Sequence, residues 1–82
     1  MMTDVKPSIQ KGVYRHYKGN LYQVVDVVRH SETLDWLVLY HPLYGDQVQQ
    51  STLWVRPFAM FVQMLELSDE SIPRFAYVGD DV

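Results

Sequence analysis

Residues 12–33 read GVYRHYKGNLYQVVDVVRHSET, and this stretch decides the fold class. Val, Tyr and Leu dominate both halves, and Gly19-Asn20 stands between them. Gly and Asn accept the positive φ angles that two-residue hairpin turns require. The stretch therefore predicts a β-hairpin, and a two-residue turn would place Tyr17 opposite Tyr22 on the paired strand.

The second arm of this hairpin, residues 21–31, changes its apolar face midway. Tyr22 and Val24 fit one side of an alternating strand, whereas Val25 and Val27 fit the other. A β-bulge produces such a switch because it inserts one extra residue and bends the strand. We therefore expect a long bent strand of the kind that turns the corner of a small barrel.

The remaining segments are short and are separated by turn signals. They predict a central strand over Leu34–Leu43 that Pro42 ends, a mobile loop over Gln47–Thr52, a strand over Leu53–Arg56, a helical turn over Pro57–Phe61, a strand over Val62–Leu67, a loop over Ser68–Ser71 and a last strand over Ile72–Tyr77. An amphipathic helix over residues 57–66 is the alternative, because Phe58, Phe61, Val62 and Leu65 also have helical spacing. The regular series of short strands favours the turn followed by a strand.

The expected fold is mostly β, a small SH3-like barrel of five or six strands with one helical turn near residues 57–61. Residues 1–10 are expected to form a flexible tail, residues 11–77 a single domain, and residues 78–82 a frayed end. The chain has 82 residues, which suits one small domain with an aromatic-rich core.

Composition limits the location and chemistry. The chain has no Cys, which excludes disulfides, thiolate metal sites and cysteine catalysis. No apolar run approaches the roughly 20 residues of a membrane span, and the first residues lack an apolar signal-peptide region. We expect a cytoplasmic protein. The four glycines are isolated, so no phosphate-binding loop and no cofactor is expected.

The net charge of −3 is unevenly distributed. Residues 11–30 carry four Lys or Arg and one Asp, whereas residues 66–82 carry five Asp or Glu and one Arg. The basic hairpin favours the binding of phosphate or an acidic partner, whereas the net negative charge of the whole molecule repels a polyanion at long range. Ordinary solvated surface charge is the alternative explanation.

Several short blocks of the sequence form a pattern that is similar to that of a known family. They are Gly12–Asn20, Val28–Thr33, Leu43–Asp46, Trp54–Pro57, Met60-Phe61 and Pro73–Phe75. Together they resemble the bacterial domain-of-unknown-function family 1653 over roughly residues 11–76. The resemblance implies a small β domain that stands alone. It implies no activity and no catalytic residues.

His30 and Glu32 are the first candidates for chemistry. Two residues apart on a strand, they share a face, and with His16 or His41 nearby they would form a His/His/carboxylate metal site. A hydrolase that pairs His30 with Asp46 is a related hypothesis. The alternative is that His30 is hydrogen-bonded within a polar turn.

Trp54 and Arg56 provide a more specific signal, because they share a strand face and the guanidinium can reach the indole or a carboxylate beyond it. Trp54 can equally be a core residue. The leading hypothesis is a non-enzymatic binding module for an acidic peptide or single-stranded nucleic acid. Its groove would combine charged and aromatic side chains, namely Arg15, His30, Glu32, Tyr44, Asp46, Trp54 and Arg56. The alternatives are a small metal-dependent or His/carboxylate hydrolase, and a structural or oligomerisation domain.

Overall fold

A computed structural model describes residues 5–80 of the chain. Its elements within that range are β1 (Gly12–His16), β2 (Leu21–Arg29), β3 (Trp36–Pro42), α1 (Gln47–Ser51), β4 (Trp54–Pro57), α2 (Phe58–Phe61), β5 (Met64–Leu67), β6 (Glu70–Pro73) and β7 (Phe75–Gly79). The predicted mostly β class is confirmed. Neither helix in this part of the chain has the length and apolar character needed to cross a membrane.

The strands of residues 5–80 form two sheets. The larger sheet has the order β4-β3-β2-β1-β7, and each neighbouring pair is antiparallel. The smaller sheet contains β5 and β6 alone. Seven strands thus stand where five or six were expected, and the larger sheet is open, with β4 and β7 at its edges, rather than closed into a barrel.

The predicted register of the first hairpin is wrong. Tyr14, not Tyr17, pairs with Tyr22, so four residues connect the strands. His16 closes this loop by donating its amide to the carbonyl of Asn20 at 2.8 Å and accepting the Gly19 amide at 2.7 Å. Of the two expected turn residues only Gly19 has a positive φ, 114°, whereas a type I′ turn needs two such residues.

The predicted β-bulge is confirmed. Val24 pairs with Tyr40 and Asp26 with Leu39, so Val25 is the extra residue in β2. The bend lets both Val24 and Val27 be buried despite their uneven spacing. β3 lies inside the larger sheet and ends at Pro42, as expected of a central strand.

The prediction of a mobile loop over Gln47–Thr52 is wrong, because this segment contains α1. The Asp46 carboxylate accepts the Gln49 amide at 2.9 Å, and the Gln49 side-chain oxygen accepts the Asp46 amide at 3.3 Å. This reciprocal capping box starts the helix. α1 buries no residue. Its sequence therefore lacks the regular spacing of apolar residues from which an amphipathic helix is predicted.

The preferred assignment after β4, a helical turn followed by a strand, is confirmed by α2 and β5, and the helix over residues 57–66 does not form. The expected loop over Ser68–Ser71 is shorter, since β6 already begins at Glu70. The expected last strand over Ile72–Tyr77 is divided at Arg74, and its halves belong to different sheets as β6 and β7.

The core centres on a cluster on one face of the larger sheet that is built mainly from rings. Its buried cluster contains Tyr14, Tyr22, Val24, Val38, Tyr40, Phe61 and Phe75. Phe61 of α2 is 1% exposed and stacks on Phe75, with ring centroids 4.1 Å apart and planes 6° apart. α2 therefore covers the sheet mainly with Phe61, and its partly buried Phe58 also packs against the cluster.

The chain ends contact the domain where the structure describes them. Ile9 packs against the core, and Lys6 forms an ion pair with Asp26, so residues 5–10 contact the domain without forming a helix or strand. β7 extends to Gly79, into the segment expected to fray. Residues 1–4, 81 and 82 lie outside the described residues.

Candidate anion-binding site

Three rings from different strands form what we call the aromatic floor: Tyr22, Tyr40 and Phe75. Their centroids lie 5.6 Å (Tyr22–Tyr40), 5.6 Å (Tyr22–Phe75) and 5.8 Å (Tyr40–Phe75) apart, and each pair meets edge to face. This arrangement favours the contact of a positive ring edge with a negative ring face. The floor provides a rigid apolar base for the polar groups around it.

Arg56 lies against the floor from the edge strand β4. Its guanidinium carbon is 5.5 Å from the centroid of Phe75, and its Nε donates a hydrogen bond to the Tyr40 hydroxyl at 3.3 Å. Arg56 is half-buried, yet it forms no ion pair with a carboxylate among residues 5–80. The ring contact holds the planar group in place and leaves its remaining N–H donors for another acceptor.

His16 reaches the same floor from the end of β1. Its ring centroid is 4.9 Å from that of Phe75, and its Nδ1 accepts the Lys18 amide at 3.2 Å. The neutral ring consequently carries its proton on Nε2. Burial, followed by the positive charges of Arg56, Arg74 and Lys18, lowers the pKa of His16.

Arg74 is the third basic side chain near the aromatic floor, after Arg56 and His16. It stands between β6 and β7 and donates from Nη2 to the Gln63 side-chain oxygen at 2.8 Å. Its Nε is buried and has no hydrogen-bond partner among residues 5–80. Buried donors are almost always satisfied in folded proteins, so this N–H is an exception among the described residues.

Trp54 and Tyr44 border the floor. Trp54 is 38% exposed and lies 6.0 Å from Tyr40 and 6.1 Å from Tyr22, centroid to centroid. The Tyr44 and Tyr22 hydroxyls are 3.1 Å apart. Burial and then this hydrogen bond raise the pKa of Tyr22 to about 12. We call the whole group the cationic aromatic site: His16, Arg56, Arg74, Trp54, Tyr44 and the aromatic floor.

The structure brings three of the seven proposed groove residues together: Tyr44, Trp54 and Arg56. The prediction that Trp54 and Arg56 share a face is confirmed, because both contact Tyr40. Asp46 is used as the N-cap of α1. Arg15 lies between Tyr14 and His16 on β1, and since both neighbours contact the core, its exposed side chain points to the opposite face.

His30 and Glu32 lie beyond the opposite end of β3 from Trp54. Trp54 pairs with Tyr40, whereas the turn that holds His30 and Glu32 follows the pairing of Arg29 with Trp36. Tyr40 and Trp36 are four residues apart on one strand, a separation of about 13 Å. The structure therefore does not unite these two residues with the cationic aromatic site.

His30 has a local role in its turn. Its Nδ1 accepts the amides of Glu32 and Thr33, each at 3.1 Å, and its carbonyl accepts the Leu34 amide at 2.8 Å. His30 is thus hydrogen-bonded within a polar turn, which was the alternative to its role as a metal ligand. Among residues 5–80, no group of three His, Asp or Glu side chains is placed to hold a metal ion.

Sequence reasoning missed Arg74 and the aromatic floor, and it considered His16 only as a metal ligand. One signal was available for His16, because alternation along β1 places it on the same face as the apolar Tyr14. Arg74 had no such signal, since its position depends on how β6 and β7 divide between the two sheets.

Two comparisons find similar proteins. A family model described as "Protein of unknown function (DUF1653)" matches residues 12–77. A crystal structure of a DUF1653 protein from Bordetella bronchiseptica is similar at 32% sequence identity and a TM-score of 0.77, covering 92% of this chain and 94% of that chain. A search of curated proteins finds no match.

Proposed function

The chain belongs to the DUF1653 family, as its motifs predicted, and because that family is described only as of unknown function, we propose an activity from the site itself. The chain is a non-enzymatic binding module for an acidic peptide. The peptide binds at the cationic aromatic site, with a carboxylate on Arg56.

The observation that carries this proposal is that Arg56 and His16 lie on the aromatic floor, with Arg74 near enough to act on the same imidazole, and that none of the three has a paired carboxylate among residues 5–80. A guanidinium held over a ring is well prepared for a carboxylate, because its side chain is already ordered before binding. Arg74 adds a second guanidinium charge to the same region, where it acts on the His16 ring. These features favour an anion that carries apolar groups.

The position of β4 supports a peptide as the ligand. β4 is an edge of the larger sheet, so one side of its backbone is open to a further strand. Trp54 and Val55 on this strand are exposed and offer apolar contacts to the side chains of an added strand. A nucleic acid would instead meet the overall net charge of −3 and the acidic segment after residue 65.

A binding role also agrees with the surroundings of His16. A His/carboxylate hydrolase needs an acidic partner for its imidazole, whereas Arg56, Arg74 and Lys18 are the charges that act on this ring. Within residues 5–80, no carboxylate forms an ion pair with His16. The cluster provides donors and rings that hold an anion.

The test is a titration of labelled protein with a short peptide that alternates Glu and apolar residues, followed by two-dimensional amide NMR. We expect shifts at Trp54, Val55 and Arg56. Arg56→Gln should weaken binding by about ten- to a hundredfold, because a hydrogen bond to a charged group contributes roughly 1.5 to 3 kcal/mol. Arg15→Gln removes the same charge from the opposite face of the sheet and should leave the affinity unchanged.

Three results would overturn the proposal. Equal losses in the Arg56 and Arg15 variants would show general charge attraction instead of a site. Equal binding of the matched peptide with Gln in place of Glu would show that no carboxylate is recognised. Tighter binding of a single-stranded oligonucleotide at the same amides would replace the peptide by a nucleic acid.

A further inference from the structure

The β5–β6 hairpin is the acidic part of the described chain that stands apart from the larger sheet. Within residues 5–80, its two strands pair only with each other. Residues 64–73 contain Glu66, Asp69 and Glu70 and no Lys or Arg. Two of its apolar side chains are also exposed, Met64 at 52% and Leu67 at 39%. The hairpin thus combines negative charge with uncovered apolar surface.

The charges at the hairpin tip are not neutralised within the described residues. Glu66 accepts a hydrogen bond from the Ser71 hydroxyl at 3.0 Å, and none of the three carboxylates forms an ion pair among residues 5–80. The tip is also kept from its own chain's site, because Arg74 directly follows β6 at the base of the hairpin. The four residue pairs of the hairpin span about 10 Å from base to tip.

We propose that the β5–β6 hairpin of one copy binds in the cationic aromatic site of a second copy. This inference rests on the proposed function, since it identifies an acidic peptide that the site accepts. The tip carboxylates meet the guanidinium groups of Arg56 and Arg74, and Leu67 covers the exposed face of Trp54. The complementary charges argue for this partner, because the site carries only positive or neutral groups and the hairpin only negative or neutral ones.

The same contact can form twice in one dimer. Each copy offers one hairpin and one site, so a twofold axis lets the two copies exchange hairpins and closes the assembly. Closure doubles the number of charge contacts without creating an open chain of molecules. An acidic peptide from another protein would then compete with the hairpin for the site, so self-association would regulate access to it.

The test measures the mass of the full chain by sedimentation equilibrium as a function of concentration and salt. We expect a monomer–dimer equilibrium that weakens strongly as salt rises to about 1 M, where the Debye length is only about 3 Å. Two charge-reversed variants then locate the contact. One carries Glu66→Lys with Glu70→Lys, and the other carries Arg56→Glu. Each alone should weaken dimerisation at least tenfold, because like charges then face each other.

Mixing the two reversed variants is the decisive step. Both contacts of the mixed dimer pair opposite charges, so the mixture should associate although neither variant does so alone. Asp35→Lys changes an exposed acidic residue outside the hairpin and should leave dimerisation unchanged. Amide spectra of each variant verify that the fold is retained.

The outcomes separate this inference from the proposed function. A wild-type chain that stays monomeric at low salt, yet binds the acidic peptide at Arg56, overturns the hairpin exchange and leaves peptide binding in place. Dimerisation that persists in both reversed variants also overturns it, by assigning the interface elsewhere. If neither peptide binding nor dimerisation through the hairpin depends on Arg56, both proposals are wrong.

Discussion

His16 shows how a single side chain reports on the site. The ring is half-buried at the end of β1, and its Nδ1 already accepts the Lys18 amide. Protonation of Nδ1 would break this bond and add a positive charge beside Arg56 and Arg74. The folded chain therefore prefers the neutral imidazole, which explains why the pKa of His16 is lowered.

We predict that this preference makes stability depend on pH. The folded pKa of His16 lies below the unfolded value of about 6.5. Between these two values the unfolded chain binds more protons. The contribution to the free energy of unfolding is therefore fully present above about pH 6.5 and is lost as pH falls through the folded pKa. Urea unfolding at about pH 8 and about pH 5 should show a difference that His16→Gln reduces.

The comparison with His16→Gln isolates this ring, because other titrating groups contribute equally to both proteins. An unchanged pH difference in the variant would contradict the assignment. A ligand carboxylate near His16 should oppose the effect, since a nearby negative charge favours the imidazolium.

At the scale of elements, α1 and the first hairpin show what local sequence can and cannot predict. The bulge in β2 follows from the alternation of apolar residues, and the end of β3 follows from Pro42, because both depend on neighbouring residues only. α1 was missed because its five residues are all exposed. Its one local signal is the pair Asp46 and Gln49, spaced as a capping box.

We predict that Asp46→Ala opens α1 locally. Loss of the side-chain cap costs about 1 kcal/mol, which should speed hydrogen exchange of the Gln50 amide about fivefold, because that amide bonds to the Asp46 carbonyl in the first turn. Asp46→Asn keeps a side-chain oxygen for the Gln49 amide and should exchange nearly as slowly as the wild type. Global stability should barely change, since α1 buries no residue. Equal exchange in the Ala and Asn variants would show that the cap does not hold the helix.

At the scale of the whole molecule, Phe61 connects α2 to the larger sheet. It stacks on Phe75 of β7 and meets Tyr14 of β1 and Tyr40 of β3 edge to face, at 5.5 and 5.4 Å. One ring from a four-residue helix thus contacts three strands. The same packing supports the aromatic floor on which Arg56 lies.

We predict that Phe61→Ala costs about 3 to 5 kcal/mol of unfolding free energy, the usual loss for a buried aromatic side chain. Met60 is 45% exposed on the same helix, and Met60→Ala should change stability by less than about 0.5 kcal/mol. Urea unfolding of both variants measures the difference. Similar losses in the two would contradict the view that α2 is held by Phe61.

The amino-acid sequence by itself determined the mostly β class, the family, the bulge, the helical turn at α2 and the shared face of Trp54 and Arg56. These features depend on alternation, on Pro and on the matching of short blocks, all of which are local properties of the chain. Only the tertiary structure decided that Arg56 and Arg74 both act on the His16 ring, whereas Arg15, His30 and Glu32 lie elsewhere. The reason is physical: the site joins β1, β4 and the residue between β6 and β7, and which strands become neighbours depends on packing of the whole core, not on any local pattern.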